Sequence, residues 1–424
     1  MRNPTERYCQ SKLGQLINIS TGKLDANAAS DDGEFPFFTC AEKPLKIDNY
    51  EFDLDAILLA GNGNFGVSHY SGKFNAYQRT YVITPVVGPA RYYYWLVRSK
   101  IKEITSSERG STVKYIRKGD IEDVDVSLPP LAEQTRIAAK LDELLAQVDT
   151  LKVRTDGIPA LLKRFRQSIL AAAVSGRLTE EWRVAHGLPE WVVSKFGDFG
   201  EVSGGLTKNA KRSGLSLEKP YLRVANVYAN RLALDSVGLI GLSEAEFVKT
   251  RLDAGDILIV EGNGSLDHIG RAAIWGGEVK DCCHQNHLIR WRSKGDVLPK
   301  FALYKLLSPQ GREQLIDVAK STTGLHTLSI SKISALELPQ PHRLEQTEIV
   351  RRVEQLFAFA DQLEAKVKDA KTRIDRLTQS ILAKAFRGEL VPQDPNDEPA
   401  SVLLERIQAQ RGSAPKARRV RKTA

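Results

Sequence analysis

The chain has 424 residues, 27% of them charged and 42% hydrophobic, enough for two or three domains that each bury a core of their own. Of its formal charge of +9, six cations (Arg411, Lys416, Arg418, Arg419, Arg421, Lys422) fall in an acid-free C-terminal stretch, which leaves +3 for the other 410 residues. Any case for a polyanionic partner therefore rests on local patches. No apolar run reaches the roughly 18 residues of a membrane span. The opening MRNPTERYCQ is not a secretory signal, and four cysteines, two of them adjacent, make no disulfide framework. These features point to a soluble protein of a reducing compartment, the cytoplasm, without a membrane partner.

The first segment, residues 1–127, mixes short β-branched runs such as Tyr81-Val82-Ile83 with amphipathic stretches, which reads as a small α/β domain. It contains Gly61-Asn62-Gly63-Asn64-Phe65-Gly66 directly after an apolar strand. A dinucleotide site would need a helix opening at this loop and an acid about 20 residues on. Neither is present, since no Asp or Glu occurs from Ala56 to Lys102. That acid-free stretch carries cations among aromatics, a composition suited to phosphate contacts. Amide and hydroxyl side chains there can read base edges.

Residues 128–188 read as a long helix entered by Leu128-Pro129, with apolar positions at Ile137, Leu141, Leu144, Val148 and Leu151. Gly157 and Pro159 interrupt the rhythm, and a kink is expected there. A second α/β domain follows at 189–337, with a basic stretch (Lys208, Lys211, Arg212, Lys219, Arg223, Arg231) and a turn, Gly262-Asn263-Gly264, that resembles Gly61-Asn62-Gly63. Asp55-Ala-Ile-Leu-Leu before the first turn resembles Asp256-Ile-Leu-Ile-Val before the second. Cys282-Cys283-His284-Gln285-Asn286-His287 has metal-binding residue types but no second ligand pair nearby.

Residues 338–392 form a second helical segment, and residues 133–178 align with 345–390 without a gap, at a constant offset of 212 and with 17 of 46 positions identical. This is an internal duplication. In the second copy Ile349, Val353, Leu356, Ala360, Leu363, Val367, Ala370, Ile374, Leu377 and Ile381 step by 4 and 3, a coiled-coil seam on a rod of about 60 Å. The expected partner of each rod is the other copy. An isologous pairing of equivalent helices runs antiparallel and would set the two α/β domains at opposite ends. Asp361…Glu364-x-Lys366 mimics a nuclease motif but lies on this helix and is rejected. No GxxxxGK[ST], HExxH, GxSxG or Asn/Asp-Pro-Pro-aromatic motif occurs. Residues 393–424 read as a basic, disordered tail.

The order of α/β domain, helical repeat, α/β domain and helical repeat resembles the specificity subunit of type I restriction-modification systems, and in particular the type IA branch. The resemblance is carried by Leu128-Pro-Pro-Leu-Ala-Glu-Gln134, Lys140-Leu-Asp-Glu-Leu-Leu-Ala-Gln-Val-Asp149, Ile349-Val-Arg-Arg-Val-Glu-Gln-Leu-Phe357 and Leu377-Thr-Gln-Ser-Ile-Leu-Ala-Lys-Ala-Phe-Arg-Gly-Glu-Leu390. It implies two target recognition domains, each reading half of a split asymmetric sequence in double-stranded DNA, with an antiparallel coiled coil of two helices as spacer. It also implies docking of two methyltransferase subunits, guessed to involve Lys163, Arg164 and Arg166, and of two restriction subunits in the full complex. S-adenosylmethionine, ATP and Mg²⁺ would belong to those partners, with none bound by this chain, which would have no catalytic residue and no metal site. By analogy the DNA-binding candidates are Asn62, Asn64, Ser68, His69, Lys73, Gln78, Arg79 and Ser111 in the first domain. In the second they are Lys208, Lys211, Arg212, Arg223, Asn263, Ser265, Asp267, His268, Gln285, Asn286, His287, Thr323 and His326. The rival readings are a dinucleotide-dependent oxidoreductase and a structural coiled-coil scaffold that binds DNA without sequence preference.

Overall fold

A computed structural model describes residues 7–262, 269–319 and 327–413. The chain opens with β1 (Cys9–Lys12), α1 (Leu13–Leu16), β2 (Ile17–Thr21), β3 (Phe35–Phe38), β4 (Leu45–Ile47), β5 (Phe52–Ala60), β6 (Val67–Ala76) and β7 (Thr80–Pro85). Next come α2 (Ala90–Ile104), α3 (Lys118–Glu122), β8 (Asp125–Leu128) and the long helix α4 (Leu131–Val174). The second half has α5 (Glu180–Ala185), β9 (Val192–Lys195), α6 (Phe196–Phe199), β10 (Gly200–Gly204), β11 (Leu217–Leu222), β12 (Val227–Tyr228), β13 (Arg231–Leu232) and β14 (Gly238–Leu242). It continues with α7 (Glu244–Thr250), β15 (Ile257–Val260), β16 (Ala272–Ile274), β17 (Cys283–His284), β18 (Leu288–Ser293), α8 (Pro299–Leu307), α9 (Pro309–Ala319), α10 (Ile330–Ser334) and β19 (Glu337–Gln340). A second long helix, α11 (Arg343–Phe386), and α12 (Ala400–Ser413) close it.

These elements form two compact units, 1–156 with 369–424, and 157–368. The first is built on a six-stranded sheet, β2-β7-β5-β6-β3-β4, antiparallel except for the β3–β6 pair. Ile57, Leu59 and Ile83 on one face join Tyr92, Tyr93 and Trp95 of α2 and both long helices in one core. Ala56, Leu58 and Val82 point to the other face and pack with Phe38 and Phe74. Both faces are buried, so the alternation expected of a one-sided strand is absent from β5.

The second unit repeats this plan. Strands β10-β18-β15-β16 and β14-β11-β17 form two sheets instead of one. The counterpart of the single strand β6 is broken here into β16 and β17 by residues 275–282, and the sheet divides at that break. Ile257, Ile259, Ile289 and Trp291 face the core with Phe301 and Leu315, while Leu258, Val260 and Leu288 face the opposite cluster.

Within each unit the two long helices run antiparallel. Lys152 pairs with Asp375 and Asp156 with Lys371 in the first unit. In the second, Arg166 meets Asp361 and Glu364, and Arg352 reaches the Leu178 carbonyl. Two seam assignments need correcting: Leu151 is 44% exposed and Leu377 is 45% exposed. Lys152 and Thr378 are half-buried in their place, so the 4-then-3 stepping passes through a residue whose polarity hid it. Helix α4 continues through Gly157 and Pro159 without a break.

Each long helix begins with a buried Glu-Gln pair. Gln134 and Gln346 donate from Nε2 to the carbonyls of Pro129 and Pro341, both at 3.0 Å. Glu133 accepts from the Tyr8 hydroxyl at 2.6 Å. Glu345 accepts from Trp191 Nε1 and Thr179 Oγ1, both at 2.8 Å, and from Arg183. Burial pushes the Glu133 carboxyl above its ordinary range. The repeated glycines meet the same aromatics. Gly388 (φ 73°) lies against the Tyr8 ring and Gly176 (φ 80°) against Trp191, where a Cβ would collide and the left-handed backbone would strain.

The disordered tail expected from 393 onward is corrected over 400–413, which forms α12. Ala400, Leu403 and Ile407 are spaced by 3 and 4 and buried, Leu403 and Ile407 within the first unit's core. Residues 414–424 lie outside the described residues. Leu403→Ala should lower stability by about 2–5 kcal/mol, the usual cost of emptying a leucine site. Thermal unfolding of the full chain measures it, and an unchanged melting temperature would show that α12 is not held by its buried face.

Candidate nucleic-acid interface

The polar loops singled out in the sequence are placed by a frame of backbone hydrogen bonds that occurs once in each unit. In the first, Ala60 N–H donates to Gly66 C=O at 2.9 Å, closing the 61–66 turn between β5 and β6. Gly61 donates to the Arg79 carbonyl (2.8 Å), and Ile116 donates to the Gly61 carbonyl (3.0 Å). In the second unit Val260 donates to Arg271 (2.9 Å), Glu261 to His287 (3.0 Å), and Leu328 to Glu261 (2.7 Å). The bridge Asn62–Tyr115 has its counterpart in Gly262–Thr327.

This frame corrects the expected match of the two turns by one residue. Gly61 corresponds to Glu261, and Ile57 to Ile257 through the register of β5 with β7 and of β15 with β18. Aligning Asp55 with Asp256 would exchange the two faces of the strand, because side chains alternate. The faces agree only in the structural register, where 57 and 59 match 257 and 259 in the main cores.

Five of the first-unit candidates gather at this frame. Asn64 and Ser68 line one recess with Thr39 and Glu42, and Gln78 and Arg79 line a second with Thr21 and Gly61. Asn62 is bridged to the 109–116 hairpin, whose tip bears Ser111. His69 and Lys73 are engaged elsewhere. The His69 ring bonds Asp55 at 2.7 Å and packs near Tyr94, while Lys73 sits over the Tyr50 ring at 4.7 Å. In the second unit Gln285, Asn286 and His287 form the turn equivalent to 77–79, and Leu206 beside them starts the exposed loop that carries Lys208 and Lys211. Arg223 is half-buried and tied to the Ser236 carbonyl. Asn263, Ser265, Asp267, His268, Thr323 and His326 lie outside the described residues.

Arg212 is a brace. Its guanidinium bonds the carbonyls of Thr207 and Gly241 and both oxygens of Glu246. Lys114 and Tyr115, which the sequence reading passed over, belong to the frame through backbone bonds to Gly63 and Arg109. Their short Val113-Lys114-Tyr115 run carries only a weak strand signal.

The rejected chemistries are accounted for by geometry. The 61–66 GxGxxG is a hairpin tip and no helix opens at it, so there is no dipole to hold a pyrophosphate. Cys282, Cys283 and His284 are buried, and His284 Nδ1 bonds the Thr250 carbonyl at 3.1 Å. Burial lowers the His284 pKa to about 4 and raises that of Cys282 to about 12. Among the described residues no group of three or more His, Cys, Asp or Glu is placed to hold a metal. Nor is any described helix long and apolar enough to cross a membrane.

The comparisons agree with this architecture. A family model, type I restriction modification DNA specificity domain, matches residues 6–160 and 189–370. The chain belongs to the type I restriction-modification specificity family. It is 40% identical to the type I restriction enzyme EcoDI specificity subunit of Escherichia coli, over 95% of both chains. It is 39% identical to the EcoKI specificity subunit of E. coli K12, over 75% of this chain and 70% of that one. Among solved structures, a chain from a study of type I R-M complex assembly superposes with TM-score 0.65 at 18% identity, over 90% of this chain and 98% of that one. The HsdS subunit of Thermoanaerobacter tengcongensis does so with TM-score 0.53 at 17% identity, over 91% and 98%. As a type I specificity subunit the protein is not itself an enzyme, and catalysis lies in partner subunits of the complex.

Hydrogen bonds from Arg212 and from the Ser243 amide hold the Glu246 carboxyl down at about 2. Its ionised form is favoured by folding, so the contribution is complete above the ordinary carboxylate range and is lost as pH falls from about 4.5 towards 2. Arg212→Ala should therefore lower the melting temperature most at neutral pH, with the deficit shrinking below pH 4.5. An equal deficit at pH 7 and pH 3 would exclude this origin.

Proposed function

We propose that each unit reads one half of a split, asymmetric DNA target and that the helices set the gap between the halves and seat two methyltransferase subunits. The observation that carries this reading is one backbone frame built twice with different side chains on it. Equal frames suit equal docking on a duplex, and unequal side chains (Gln78 and Arg79 against Asn286 and His287) suit unequal bases. The modified base is adenine, at N6. S-adenosylmethionine, ATP and Mg²⁺ serve the methyltransferase and restriction subunits, and the work is done in the cytoplasm, where the chromosome lies.

The seats for the methyltransferase subunits are outward apolar side chains on the long helices, Leu151 and Leu377 in one unit and Leu161 and Phe359 in the other, all more than 40% exposed. Arg166 serves less well than the sequence suggests, because Asp361 and Glu364 already occupy its guanidinium. Leu377→Asp and Phe359→Asp should each leave the fold intact and reduce the methyltransferase that co-purifies with this chain. Undiminished recovery with both substitutions together would place the seats elsewhere.

The function itself is tested by co-expression with its methyltransferase in an unmethylated host and genome-wide mapping of N6-methyladenine. A motif of two unlike halves around a fixed gap is expected. Methylation scattered without a motif would instead favour a scaffold that binds DNA unspecifically, and a palindromic motif would refute unequal half-sites.

A further inference from the structure

The frame singles out one short segment in each unit that is held chiefly through its main chain. Tyr77 N–H donates to the Phe38 carbonyl (2.9 Å), Gln78 N–H to Leu24 (2.9 Å), and Thr80 N–H to Tyr77 (2.8 Å), while the Arg79 carbonyl accepts from Gly61 (2.8 Å). In the second unit Gln285 N–H donates to Leu222 (2.9 Å), Asn286 N–H to Leu206 (3.0 Å), and Leu288 N–H to Gln285 (2.9 Å), while the His287 carbonyl accepts from Glu261 (3.0 Å). The four bonds match one for one, and every donor and acceptor is main chain. The strands that receive them also match, since β3 runs parallel to β6 through Phe38–Ala76 and β11 parallel to β17 through Leu222–His284.

We infer that Gln78-Arg79 and Asn286-His287 are equivalent, exchangeable reading elements, each specifying adjacent bases in its own half-site. This rests on the half-site reading proposed above. The side chains are free to carry it. The Arg79 side chain is exposed and has no hydrogen-bond or ion-pair partner among the described residues, and the Gln78 amide donates to the carboxylate of Asp25 (3.2 Å). Asn286 is half-buried, and exposed His287 uses Nδ1 on Glu261 at 3.1 Å. An unpartnered guanidinium suits the two acceptors of guanine, and a terminal amide suits the acceptor and donor of adenine. With Nδ1 of His287 engaged by Glu261, Nε2 is the ring nitrogen left to meet a base edge. Three other candidates lack this freedom. Arg212, His69 and Arg223 are bonded into the fold, so changing them changes the structure before it changes the readout.

Because the four matched bonds run from main chain to main chain, side chains can be traded between the turns without removing any of them. The test is the double exchange Gln78→Asn with Arg79→His, and separately Asn286→Gln with His287→Arg, in the full chain co-expressed with its methyltransferase. N6-methyladenine is mapped beside the unaltered protein. Duplexes varied singly at each half-site base are then titrated against each complex. Each exchange should shift base preference by about tenfold or more at one or two adjacent positions of one half-site, leaving the other half and the gap unchanged. Melting temperatures should stay within a degree or two of the parent. If the parent yields a split motif and an exchanged chain of unaltered stability keeps the same base preferences, the inference falls and the half-site reading stands. Simultaneous change in both halves would also overturn it. If the parent yields no split motif, the reading itself has failed.

Discussion

The buried carboxylate at the start of each long helix is the constraint on which the architecture turns. A carboxylate removed from water must be given donors or it destabilises the fold by several kcal/mol. Glu133 finds its donor in Tyr8 and Glu345 in Trp191, residues that lie just before the first strand of their own unit. The helix can therefore start in only one place relative to the domain it leaves. The same aromatic rings press on Gly388 and Gly176, which end the opposite helix. Each unit is closed by segments far apart in sequence: in the first, Arg7 at the start of the described chain donates to the carbonyls of Pro395 and Asp397, and the Asp397 carboxylate accepts from Arg136.

The two copies have kept what is costly to change and lost what is not. A buried acid needs a donor, but the donor's identity is free: a phenol in one unit, an indole with a threonine and an arginine in the other. A sheet needs its ladder, yet the strand opposite can be continuous, as in β6, or interrupted, as in β16 and β17. Main-chain hydrogen bonds constrain conformation while leaving composition open, so the frame persists after the side chains on it have diverged.

Much of this was legible in the sequence. The duplication showed in the helices because their buried seam and Glu-Gln anchors restrict residue type. The α/β domains showed only as class, because in a sheet buried on both faces almost any apolar order will serve. Leu151 and Leu377 were misplaced because heptad stepping counts apolar residues, whereas the packed positions are held by the stem of Lys152 and by Thr378. The one-residue slip between the turns has a similar origin. Gly61-Asn62-Gly63 and Gly262-Asn263-Gly264 match as letters, but strand register is set by which side chains face the core. The helix at 400–413 is obscured in the sequence by its basic flank, although Leu403 and Ile407 carry the helical spacing.

This division separates what holds the fold from what can vary on it. Residues that join domain to helix act through side chains, and altering them moves the domain. At the turns before β7 and β18 the side chains make few contacts inside the protein, Gln78 with Asp25 and His287 with Glu261, so altering them disturbs the fold little. A molecule whose task is to discriminate gains from such a separation, because most destabilising changes come from disturbed cores, caps and buried polar groups. Positions free of all three can vary at almost no structural cost. Arg79 meets that description most fully among the described candidates: exposed, unpaired, and held at its backbone by a carbonyl that bonds Gly61 whatever side chain stands there.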